Sequence, residues 1–198
     1  MNINIIVKIT TLLTICFAAV AISAQDESVK VPADVRPFVG KGMSAIGLET
    51  ADLNGDGRKD YILVVEKAGP KPPDDVDDLR TLYILTREAD GKLKLAKQND
   101  KVVYCHSCGG VFGDPFAGIR VKPNSFTVDN YGGSNWRWSE SYTFNYSRID
   151  KTWQLVRAES DTFMATDPDK HKTKVRLPAT FGKVDIADFD PDKLTKKK

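Results

Sequence analysis

Oxygen-bearing side chains fall at near-alternate positions in the run Asp52-Leu53-Asn54-Gly55-Asp56-Gly57-Arg58-Lys59-Asp60. Counting from Asp52, they stand at positions 1, 3, 5 and 9, and Gly57 stands at position 6. A hard dication takes about six to eight oxygens at roughly 2.3–2.6 Å, and a tight loop supplies them from alternate residues. Glycine permits the positive φ of the sharp turn. Arg58 would contribute its main-chain carbonyl while its side chain faces water. Three carboxylates and one amide select Ca²⁺ over soft metals; Mg²⁺ demands a tighter octahedron. The plain alternative is a turn rich in Asn-Gly and Asp-Gly, which are common turn formers.

A second reactive cluster is Cys105-His106-Ser107-Cys108-Gly109-Gly110, followed by Asp114. Three readings stay open. A structural disulfide between Cys105 and Cys108 leads, because of three cysteines Cys16 falls in the expected export leader, and an even count of two in an oxidising compartment favours a bond. A redox pair would want a helix opening at the motif to lower the first thiol's pKa. Half of a zinc site would need His106 or the distant His171. His106 and Asp114 also suggest an acid–base pair, which requires hydrogen-bond reach that sequence proximity alone does not supply. No serine stands in a nucleophile-elbow context, so no catalytic residue is assigned.

Tyr131, Trp136, Trp138, Tyr142, Phe144, Tyr146 and Trp153 gather on two adjacent expected strands. Most should form the core, since aromatics at period two usually face inward. Tyr131 and Trp136 flank the Gly132-Gly133 turn and are expected to be exposed. With His106 and Asp114 they are the candidate ligand-binding residues, aromatic faces with polar handles suiting a sugar or a protein.

The segment from Ala45 to Glu66, with its Asp-Leu-Asn-Gly-Asp-Gly-Arg-Lys-Asp loop and following Tyr-Ile-Leu-Val-Val, resembles the loops of integrin-α-type FG-GAP and VCBS repeats. The resemblance implies Ca²⁺ held in a β-hairpin by Asp52, Asn54, Asp56, Arg58 and Asp60. A helical EF-hand would need Glu at position 12, where this chain has Leu63. The chain has one copy, so the propeller those repeats build is not implied.

The elements that must position these residues are strands. Residues 45–51 lead into the acidic loop. Residues 61–65 are a continuous apolar run suited to a central strand buried on both faces. Residues 67–78, with prolines and aspartates, read as a surface loop. Strands are expected at 79–87 and 92–96, joined by an Asp90-Gly91 turn, with a short one at 102–104. Residues 118–121 and 126–129 form a hairpin over Pro123-Asn124. Residues 136–146 alternate at period two, the strongest strand signal in the chain, and 152–157 follows. A last strand is expected at 184–189. The fold class is mainly β: a twisted antiparallel sheet, rolled or sandwich-like, with about eight to nine strands and little helix.

Residues 1–24 read as a secretory signal peptide: Lys8, an apolar stretch over 9–22, then small residues before Gln25-Asp26-Glu27. Cys16 follows Ile15, which is poorly suited to lipoprotein processing. Residues 25–42 are a linker, 43–190 the β domain and 191–198 a basic tail. Lys+Arg number 29, one of them in the leader, against 27 Asp+Glu. That balance gives no electrostatic case for nucleic acid, and no second apolar stretch is long enough to span a membrane. The sequence therefore points to a periplasmic or secreted Ca²⁺-binding β domain. Its expected duty is structural or binding work at the cell envelope, with a glycan or protein ligand and no enzymatic activity. The rivals are a hydrolase using loop 105–114, with His106 and Asp114 converging in a cleft beside the metal, and a thiol oxidoreductase.

Overall fold

A computed structural model describes residues 29–71 and 79–194. The expected leader with Cys16, residues 72–78 of the expected surface loop and residues 195–198 of the expected tail lie outside the described residues. Among those described, nine strands form two antiparallel sheets with no closed barrel. The first sheet has the order β1 (Met43–Ala51), β2 (Asp60–Lys67), β3 (Thr81–Arg87), β4 (Leu93–Asn99). The second runs β5 (Phe116–Lys122), β6 (Ser125–Gly133), β7 (Trp136–Ser147), β8 (Thr152–Met164), β9 (Asp167–Arg176). Every strand pairs with its sequence neighbour, so each sheet is a meander.

β2 is the buried central strand that its apolar run dictates. Ile62 and Val64 point into a core shared by both sheets, where Phe126, Val128, Phe144 and Leu155 meet them. Leu63 and Val65 point the opposite way, into a second cluster with Leu85 and Val35. Val35 belongs to the stretch 31–39, whose single helical turn α1 (Arg36–Val39) lies over the outer face of the first sheet. The sheets adjoin where β1 lies against β5: a Cβ on Gly47 would stand 3.0 Å from the Phe116 ring.

On β7, Tyr142 and Phe144 are buried while Arg137, Ser139, Ser141 and Thr143 take the other face, as the alternation requires. Two expected strands are not formed. Residues 102–104 are irregular, because Asn99 Oδ1 accepts from the amides of Lys101 (2.9 Å) and Val102 (2.7 Å) and turns the chain. Val102 and Val103 are nonetheless buried. Residues 184–189 make one bridge, Gln154 to Asp185, and then a 3₁₀ turn over Ile186–Asp188 capped by the Asp185 side chain. Ile186 and Phe189 still enter the main core, and α2 (Pro178–Phe181) adds Phe181. β9 arises without an apolar pattern and is held by its pairing to β8.

Candidate functional site

The acidic loop leaves β1 at Ala51 and enters β2 at Asp60. Asp52 accepts main-chain N–H groups from Gly55 (2.7 Å) and Asp56 (3.1 Å) on Oδ1 and from Gly57 (2.9 Å) on Oδ2. Burial raises the Asp52 pKa, but these amides outweigh it and hold the carboxyl below 3.8. Asn54 Oδ1 accepts from the Asp56 amide (3.0 Å), and its Nδ2 donates to Asp56 Oδ2 (2.8 Å). Asp56 also accepts from the Arg58 amide (2.9 Å) and from Arg58 Nη2 (2.6 Å). Asp60 is fully buried: its oxygens accept from the amides of Leu53 and Arg87, both at 2.9 Å. Burial pushes its carboxyl upward despite those bonds.

A carboxylate oxygen that accepts one amide keeps further lone-pair capacity. On the partly exposed loop, Asp52 Oδ2, Asn54 Oδ1 and Asp56 Oδ1 each accept one amide and keep that capacity. Asp60 differs in being fully buried, each oxygen holding an amide on the protein side. Among the described residues no three His, Cys, Asp or Glu side chains form a metal-holding group. The loop is stitched to the second sheet: Asn124, in the β5–β6 turn, donates its amide to Asp52 O (2.8 Å), and Trp153 Nε1 donates to Leu53 O (2.8 Å). Asn124 Oδ1 is buried beside Gly55 without a hydrogen-bond partner.

The Cys105 and Cys108 sulfurs are bonded at 2.01 Å, and no helix follows them to depress a thiol pKa. His106 and Asp114 meet, with Nδ1 at 3.3 Å from Oδ2. They line a cleft of about 530 Å³ with Ser44, Glu66, Lys67 and Phe116. The hydrolase reading places that pair beside the acidic loop, and the geometry does not. Glu66 is six residues along β2 from Asp60, about 20 Å at the strand's rise.

The residue that joins the pair is Arg80, 1% exposed. Its Nη1 and Nη2 donate to Asp114 Oδ1 (2.5 Å) and Oδ2 (2.6 Å). Nε and Nη2 donate to Glu66 Oε2 (2.9 and 2.7 Å), and Nη1 reaches Tyr104 O (3.2 Å). Burial raises the Asp114 pKa, but its bonds to Arg80 outweigh it and keep the carboxyl below 3.8. A carboxylate so committed holds a loop in place and is a poor proton carrier. Sequence reading missed Arg80; its only signal is an arginine directly before an apolar strand.

Beyond the disulfide, the loop docks backbone to backbone on the end of β6. Gly133 N donates to Gly109 O (2.8 Å), and Val111 N donates to Gly133 O (3.1 Å). A Cβ on Gly132 would lie 2.6 Å from Trp138 Cζ2 and 2.8 Å from Gly109 O, so only glycine fits there. This close approach sets Val111 (83% exposed) and Phe112 (48%) at the tip. Phe112 meets Tyr131 edge-on at 5.9 Å, and the Arg137 guanidinium sits 3.6 Å over the Phe112 ring. Trp136 is 61% exposed, Tyr131 half-buried, and Arg137 Nε is buried without a hydrogen-bond partner. Val111, Phe112 and Arg137 were not singled out in the sequence, because their neighbours at the tip come from distant segments. Below the tip, Tyr104 and Tyr142 donate to Glu140 Oε2. Burial, then the neighbouring negative charge, pushes the Tyr104 phenol above its ordinary value.

No family model matches the chain, and no curated protein matches it. A solved chain from a Xanthomonas type IV secretion system related protein aligns at 15% identity with a TM-score of 0.37. The alignment covers 71% of this chain and 57% of that one. This chain thus spans little more than half the length of the solved chain.

Proposed function

We propose that this is an exported, Ca²⁺-stabilised binding domain, without catalysis of its own, that presents its aromatic tip to a protein partner at the cell envelope. The observation that carries this is the pairing of exposed apolar groups with rigid support. Val111 and Phe112 are exposed on a segment fixed by a disulfide, by buried Arg80 and by close glycine contacts, and Trp136 is exposed at the start of β7. Side chains held in this way lose little entropy on binding. Trp, Tyr and Arg are the residue types that dominate protein interfaces. Val111 and Phe112 lack polar handles, which favours a protein over a glycan. Export rests on the leader at 1–24, and no helix among the described residues is long and apolar enough to cross a membrane.

The test uses wild type and a Phe112→Ser/Trp136→Ala variant as baits on envelope fractions. Each captured protein is then purified and its affinity measured by calorimetry. A purified partner that the variant binds about 30-fold or more weakly, with an unchanged melt, supports the reading; the size follows from hot-spot losses of about 2 kcal/mol or more. Equal affinity for both, or displacement of the partner by envelope glycan alone, overturns it.

Ca²⁺ at Asp52, Asn54, Asp56 and the Arg58 carbonyl, above an Asp60 that anchors the loop through the Leu53 and Arg87 amides, would cross-link the acidic loop and stabilise by mass action, about 2.7 kcal/mol at a hundredfold excess over Kd. The check is a thermal melt with Ca²⁺, with Mg²⁺ and with chelator, run beside Asp56→Ala. A Ca²⁺-selective rise that the variant loses supports the site; no rise in either protein removes it.

The meeting of His106 with Asp114 in a cleft favours one second reading, hydrolysis at that cleft. Turnover of an envelope polymer that His106→Ala abolishes would replace the binding reading with it.

A further inference from the structure

The outer face of the second sheet carries a concave groove of about 490 Å³ across β5 to β8. Its floor is a ladder of hydroxyls: Thr127 on β6 and Thr143 on β7 face each other with their oxygens 2.9 Å apart. Cations rise on either side, Arg120 and Lys122 from β5 and Arg157 from β8. The two nearby carboxylates are already engaged. Arg120 holds Asp129 through Nε (2.6 Å) and Nη2 (2.8 Å), and Ser141 also donates to Asp129. Arg157 holds Glu159 through Nε and Nη2.

The consequence is a surplus of donors. A guanidinium has five N–H donors, and in both arginines the ion pair engages only Nε and Nη2, leaving Nη1 outside it. Both arginines are substantially exposed, 68% for Arg120 and 46% for Arg157. Lys122 is exposed and has no acidic partner among the described residues. Three cations therefore face two neutralised carboxylates, and hydroxyls able to donate or accept line the space between. The volume suits a small ligand, but none of the hydrophobic or aromatic side chains that usually line small-molecule sites lines it. A ligand matching this surface brings negative oxygen to the cations and hydroxyls to the threonine ladder.

We propose that the groove binds an acid-bearing sugar, its carboxylate on Lys122 and Arg157 and its hydroxyls on Thr127 and Thr143. This site is separate from the tip. Thr143 stands six residues along β7 from Arg137, about 20 Å at the strand's rise.

The experiment is calorimetric titration of the intact protein with galacturonic acid, oligogalacturonate, an uncharged gluco-oligosaccharide of equal length, and inorganic phosphate. Lys122→Ala/Arg157→Gln and Trp136→Ala variants are titrated alongside. The expected result is binding of the acidic sugars, weakened by added salt, about tenfold or more weaker in Lys122→Ala/Arg157→Gln and unchanged in Trp136→Ala. Binding of the monomer equal to the oligomer identifies a free sugar acid as the ligand; preference for the oligomer identifies a polymer segment. Equal binding of the uncharged sugar, binding of phosphate alone, no binding of any acidic sugar, or insensitivity to Lys122→Ala/Arg157→Gln overturns the proposal. Because these side chains lie on an outer face, the variant's melt should match wild type. Failure of the tip's protein partner to bind would leave this titration unaffected.

Discussion

Replacing Arg80 with methionine keeps most of the aliphatic volume and removes a charge that holds three segments together. Glu66 on β2, the Tyr104 carbonyl and Asp114 in the loop all receive its hydrogen bonds. Removing one partner of a buried ion pair costs about 3–5 kcal/mol, because the remaining charge stays buried and unpaired. Here Asp114 is 38% exposed and regains water, and Lys71 lies 3.7 Å from Glu66. Both facts place the loss near the lower limit, about 3 kcal/mol. For a domain of this size that is a drop in melting temperature of roughly 6–12 °C. The assay is urea and thermal unfolding of wild type, Arg80→Met and Arg80→Met/Glu66→Gln. The double variant should recover about 1 kcal/mol or more, since the unpaired carboxylate is gone. A single-variant loss under about 1 kcal/mol, or a double variant no better than the single, refutes this reasoning. The pH dependence gives an independent check. The folded Asp114 carboxyl lies below its ordinary value of 3.8, so its contribution is present above that pH and is lost as pH falls through the folded value. Arg80→Met should flatten that acid limb.

Asp60→Asn turns an amide NH₂ toward the Leu53 or Arg87 N–H and should destabilise the calcium-free protein by about 2 kcal/mol, read by urea unfolding. Gly132→Ala drives a methyl into Trp138 and the unyielding Gly109 backbone and should lose about 3 kcal/mol, the upper end of overpacking costs. Gly57→Ala meets open space and bears only the strain of its positive φ, 83°, about 1–2 kcal/mol; equal melts for the two variants would contradict the packing account. Reduction of Cys105–Cys108 opens a very short loop, so the chain-entropy estimate is only about 2 kcal/mol. The reduced protein should stay folded at 25 °C by circular dichroism.

What the sequence made legible is what side-chain periodicity controls. The run 61–65 reads as a strand because its residues are apolar on both faces, and β2 buries both faces. The alternation over 136–146 separates Tyr142 and Phe144 from Ser141 and Thr143 as the structure does. Residues 184–189 have the composition of a strand, but Asp185 spends its side chain capping a turn, and the apolar residues reach the core without a ladder. β9 has no apolar signature because much of it lies beyond the core, and only its pairing to β8 marks it. At the candidate site, the spacing of His106 and Asp114 suggested a pair, but only the folded loop brings Nδ1 to 3.3 Å from Oδ2. The Arg80 contact was not, because it spans 34 residues and depends on how two strands end. The tip was half legible: Trp136 and Tyr131 flank a glycine turn, while Phe112 arrives from a separate loop.

Strand order in both sheets follows the order of synthesis, and this has a consequence for the nascent chain. The first four strands can zip together from local contacts before β5 has been made, and local pairing is fast. That half-molecule, however, has an unmatched side. Ile62, Val64, Leu82 and Ile84 face a core whose other wall, Phe126, Phe144 and Leu155, is still to come. Its final closure waits for Ile186 and Phe189, whose carbonyls accept from Asn99 Nδ2 at the end of β4. Until residues 186–189 emerge, the growing chain shows bare aliphatic surface of the kind that folding helpers bind and that neighbouring chains can capture. Truncation before Phe189 should therefore yield aggregation rather than a smaller folded domain.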